Sequence, residues 1–253
     1  MFNFKFYFKK RSVKIVYLFV MIYAILGLCS LDLMKGFVIE SPGKLEFNYV
    51  YHQWFNSIRV IIFSCIPLFL ILLNPVISSY NKIYFVIRNV SSERVFWNYF
   101  KMILSVTILF VTFIDLLYIL GLIIYNQLHN LSFYNLIIIY FNQLLVYLEI
   151  ALIYLIAIVI TNRNSISLII TYLFVITLYG INTSMRSDFF LPIISWINNY
   201  YFEEKEMWQI VASISLFITL AIISYWLIDG KEWIGENSNY KSNKNETKGN
   251  KYE

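Results

Sequence analysis

The sequence predicts an all-α polytopic membrane protein with six transmembrane helices and both termini in the cytoplasm, and three observations carry that expectation. Hydrophobic residues make up 59% of the 253 and charged residues only 14%, whereas about a quarter of the residues in a soluble domain are charged. The apolar residues gather into six long runs with almost no charge, each close to the ~20 residues that cross a ~30 Å hydrocarbon core. The basic residues fall mainly on alternate connections between those runs, as the positive-inside rule requires of a multi-pass protein.

The first run, residues 15–31, follows Lys5, Lys9, Lys10, Arg11 and Lys14. That order suits a signal peptide as well, but the run is long and lacks a small-x-small cleavage site, so it is read as a retained span. The remaining spans are expected at residues 60–78, 102–124, 136–160, 166–181 and 208–228. The fourth is long enough to tilt, and the fifth is short for a bilayer. With this layout fifteen of the twenty Lys and Arg residues lie on the side of the termini, which makes that side cytoplasmic. The outer segment before the last span contains FFLPIISWINNYYF, whose Trp196, Tyr200 and Tyr201 suit headgroup depth. The membrane domain thus occupies residues 1–234. Residues 235–253, rich in Asn and Lys with little to bury, are expected to form a disordered cytoplasmic tail.

Several chemistries find no support. Cys29 and Cys65 lie within apolar runs and serve packing, while His52 and His129 stand alone without the spacing of a metal site. No phosphate-binding G-x-x-x-x-G-K-[ST] loop, G-x-S-x-G elbow or H-E-x-x-H helix occurs. The chain is therefore expected to bind no nucleotide, metal, other cofactor or nucleic acid itself.

Two acids, Asp115 and Glu149, fall inside spans, where a charge facing lipid costs a few kcal/mol or more. Matching depths across antiparallel helices puts Asp115 near Asn142 and Gln143, and Glu149 near Asn74 and Thr171. Asn142 and Glu149, seven apart, share a helix face. These six residues are candidates for a translocation path or for polar bonds that join helices.

The stretch VIRNVSSERVFWNYFK, residues 86–101, lies between the second and third spans. Ser91 or Ser92 can cap a helix there, with Glu93 favourable in its first turn. A helix along the cytoplasmic surface would expose Arg88 and Arg94, and could serve only as an interfacial anchor.

The whole layout resembles the permease subunit of type 2 ABC transporters, an export class in which six spans with cytoplasmic termini pair with a separate ATPase. In that family the connection between spans two and three forms a coupling helix. Its loose pattern of Arg, Ser, a basic residue, an aromatic and Lys matches Arg88, Ser91, Arg94, Trp97 and Lys101 in order. Ser92 stands where a basic residue is usual. The resemblance implies that Arg88, Ser91, Ser92, Glu93, Arg94, Trp97 and Lys101 dock on an ATPase that holds the ATP and Mg. It also implies a second permease chain, identical or related, in a bacterial cell membrane. The Ile-, Asn- and Lys-rich composition is similar to permeases for export of, or immunity to, antimicrobial peptides. Two alternatives stand beside it. One is a membrane-embedded peptidase built around Glu203 and Glu204, although EEKEMW lacks the arginine and the span-borne histidines of the prenyl-endopeptidase type. The other is a non-catalytic immunity or scaffold protein.

Overall fold

In the computed structural model the described residues are 61–80, 91–124, 133–185 and 204–230. The expected first span, Arg88, Glu203 and the C-terminal tail lie outside them. Every described element is helical. A π-helical turn, Ile61–Cys65, runs into α1, Ile66–Tyr80. Then follow α2, Ser92–Ile124; α3, Phe133–Thr161; α4, Asn164–Met185; and α5, Glu204–Asp229.

Among the described residues three stretches are long and apolar enough to cross a membrane: Ser92–Leu117, Tyr140–Thr161 and Val211–Asp229. The apolar stretches Ile62–Ser78 and Asn164–Leu178 are shorter, about 23–26 Å at ~1.5 Å per residue. Length and composition thus mark three candidate spans among the described residues.

The ends of the helices follow from local chemistry. The Ser91 hydroxyl accepts from the Arg94 backbone N–H at 3.4 Å, and the Ser91 carbonyl accepts from Val95 N–H. Ser91 is thus the N-cap of α2, and Glu93 sits in the first turn, where the helix dipole favours an acid. From Ser92 to Leu120 there is neither Gly nor Pro, and the buried series Val95, Phe96, Tyr99, Met102, Ile103 keeps a helical period. Nothing interrupts the helix. Residues 92–101 are accordingly the first turns of the third span's own helix, and not a separate helix lying on the surface. Rigid and ~50 Å long, α2 exceeds the hydrocarbon thickness.

Between α3 and α4 only Asn162 and Arg163 intervene. Asn162 has φ 56° and its N–H returns to the Ile158 carbonyl. This is the left-handed helix terminus that Asn tolerates better than other residues with a Cβ. The Thr161 and Ser167 hydroxyls bond at 2.7 Å across the turn, and Ser167 also donates to the Arg163 carbonyl. In α1, Pro75 removes one N–H from the middle of the helix, a lesion that kinks a helix unless its neighbours compensate.

α3 lies at the centre, packed against all four other helices, while α1 also packs on α2 and α4, and α2 on α5. Its run from Val146 to Leu152 is buried without interruption, and a helix apolar on all sides belongs in such a core. Phe69 of α1, Phe110 of α2 and Tyr147 of α3 form a three-ring cluster with centroids 5.0 to 5.3 Å apart. The outer surface is apolar as well: Leu109, Leu116 and Leu120 of α2, Ile169 and Leu173 of α4, and Ile218 and Ile222 of α5 are exposed. An apolar exterior that extensive belongs in lipid.

Candidate functional site

The polar residues inside the bundle do not form one seam. Most hydroxyls are satisfied within their own helix. Thr107 donates to the Ile103 carbonyl and Thr171 to that of Ser167, the cheapest way to bury a hydroxyl where water is absent. Besides the Thr161–Ser167 bond at the α3–α4 turn, hydrogen bonds join side chains of α3 to α2, α5 and α1. Tyr140 meets Thr112 of α2 at 3.1 Å. Ser213 of α5 donates to Glu149 Oε1 at 2.7 Å. Tyr154 donates to Asn74 Oδ1 of α1 at 3.1 Å.

Glu149 bonds Ser213, while Asn74 and Thr171, expected near it by depth, bond Tyr154 and the Ser167 carbonyl. Asn74 goes to Tyr154, which is ~140° around α3 from Glu149 at ~100° per residue. Depth gives the level of a residue but not the side of the helix it faces. Ser213 was not singled out in the sequence. Its only signal is a small polar residue among the large apolar ones of the last span, on the same helix stripe as Leu216, Leu220 and Ser224.

Trp97 and Trp226 supply a depth scale. Both are exposed, at 48% and 75%, and they sit at one level because their neighbours Phe96 and Tyr225 meet edge to face at 5.5 Å. Exposed tryptophans at one end of an apolar bundle mark the headgroup level. Phe100 continues the same cluster, stacking on Phe96 and touching Trp97 and Phe217. With Phe110 opposite Tyr147 on antiparallel helices, Trp97 is level with Ile160 of α3, and Arg163 lies just beyond. At ~1.5 Å per residue, Glu149 and Ser213 then lie ~16–20 Å from that surface, near the mid-plane. Asp115 and Asn142 share a level ~27 Å away, close to the opposite surface, where a carboxylate is cheaper. Asp115 is 5% exposed, and Asn142 and Gln143 are half-buried.

At the Trp97 end, α2 presents two unlike faces. Val95, Phe96 and Tyr99 are buried in the bundle. Glu93, Arg94, Trp97 and Lys101 are all exposed and fall within a ~100° arc on the opposite side. The described part of the candidate coupling segment is thus a mixed-charge, aromatic stripe, open to a partner, on a helix whose other side is fixed to the core.

Fold and surface define the class: a helical membrane protein with a tightly packed central helix. No family model, no curated protein and no solved structure matches the chain.

Proposed function

We propose that the chain is the membrane-spanning subunit of an ATP-driven exporter of the type 2 ABC class. It works with separate ATPase subunits, which hold the ATP and Mg, and with a second permease chain. It would move a peptide or amphiphilic substrate across a bacterial cell membrane, for export or self-immunity, with both termini on the ATPase side.

One juxtaposition supports this most. Glu93, Arg94, Trp97 and Lys101 form an exposed stripe on the first turns of α2, and the same helix runs without Gly or Pro to Leu120. A force applied at Arg94 has no hinge to dissipate it, since kinks arise mainly at Pro, Gly or helix bulges. It moves α2 as a rod and, through the Phe69, Phe110 and Tyr147 rings, shifts α1 and α3 with it. Arg94 and Lys101 ask for carboxylates on the docking partner, Glu93 for a cation, and Trp97 for an apolar slot.

The test is a mild-detergent pull-down of the tagged chain from its native membrane, comparing wild type with R94E. A Walker-motif ATPase that accompanies the wild type, and is lost while R94E still accumulates in the membrane, is the expected result. Absence of any ATPase from the wild type across several detergents would overturn the proposal in favour of a membrane peptidase or a scaffold.

A further inference from the structure

We propose that Glu149 is a proton-binding site at the middle of the membrane: it is held as the neutral acid while α5 is docked on α3 through Ser213, and release of the proton opens the α3–α5 seam. This stands independently of the exporter proposal.

The geometry carries it. Glu149 has no exposed surface and sits at the mid-plane, where hydration cannot reach an ion from either surface. An ionised carboxylate offers about four acceptor positions. The structure supplies one donor, the Ser213 hydroxyl on Oε1, and Oε2 is buried with no hydrogen-bond partner among the described residues. One neutral hydroxyl does not offset the several kcal/mol that an unpaired buried charge costs. A bound proton removes that cost and leaves the Ser213 bond intact.

The surrounding helices offer no described cation to take the proton's place. On α1 no ionisable side chain lies between Ile66 and Ser79; Cys65, just before it, lies ~9 Å lower along the bundle. On α2, Lys101 is ~10 Å nearer the Trp97 surface and faces outward, and Asp115 is ~10 Å the other way. α4 contributes the phenol of Tyr172, and α5 has no ionisable group from Val211 to Ser224. On α3 itself the nearest are the phenols of Tyr147 and Tyr154. Proton release therefore leaves a charge with no cation beside it among the described residues, in contact with α5 through Ser213.

Infrared spectroscopy on the full chain in lipid vesicles tests the first half. The wild-type minus E149Q difference at neutral pH should show the carbonyl stretch of a protonated carboxylic acid, and D115N should retain that band. A carboxylate band in its place would overturn the proposal. Should E149Q fail to insert, the alkaline-minus-acidic spectrum of D115N gives the same test: the acid band must be lost as a carboxylate band grows. Hydrogen exchange along residues 211–224, corrected for base catalysis, tests the second half. Wild type should lose protection on going alkaline while E149Q does not, and equal behaviour of the two would sink the opening of the seam.

Discussion

Replacing Phe110 by Ala tests the packing at the centre of the bundle. In water such a truncation costs about 3–5 kcal/mol, much of it the transfer of the ring from solvent to core. In a bilayer an unpacked helix is still solvated by hydrocarbon, so the transfer contribution vanishes and only packing remains. Phe110 contacts two rings, Phe69 at 5.3 Å and Tyr147 at 5.0 Å. At about 0.5–1.5 kcal/mol for each aromatic pair, the loss should be about 1–3 kcal/mol. The adjacent Leu109 is exposed on the lipid-facing side, and Leu109→Ala should cost less than about 0.5 kcal/mol. Equilibrium unfolding in bicelles with a denaturing detergent reads both values. Equal costs, or a Phe110→Ala cost below about 0.5 kcal/mol, would refute the orientation of α2.

Three further changes follow from local contacts. Tyr154→Phe removes the donor to Asn74 Oδ1 and should cost about 0.6 kcal/mol in the same assay, the usual worth of an interhelical hydrogen bond in a membrane. At Asn162, where φ is 56°, Asn162→Gly should be neutral or slightly stabilising, whereas Asn162→Val should cost about 1–2 kcal/mol. Ser91→Ala removes the cap of α2 and should cost about 1 kcal/mol, seen as faster hydrogen exchange confined to residues 92–95.

What the sequence makes legible is set by period and hydropathy. α3 and α5 cover the spans expected at residues 136–160 and 208–228 because a long uncharged run in lipid has helix as its only economical backbone. The helices α1 and α4 fall where spans two and five are expected. The start of α2 shows composition and period pointing different ways. Arg88, Arg94 and the aromatics suggest a surface helix by composition, while the unbroken buried series from Val95 to Ile103 decides for continuity. At the polar residues, the sequence identifies Glu149 as costly but not what it meets. Its partner Ser213 lies 64 residues away, and only the azimuth of each helix, fixed by packing, brings the two together.

The most direct test of the exporter proposal is a photo-crosslinking residue placed at Trp97 in native membranes, with one at the buried Val95 as control. Capture of a Walker-motif ATPase from position 97, with only cross-links within the chain from position 95, is the expected result. Capture of lipid alone from position 97 would contradict it and leave the exposed stripe as a membrane anchor.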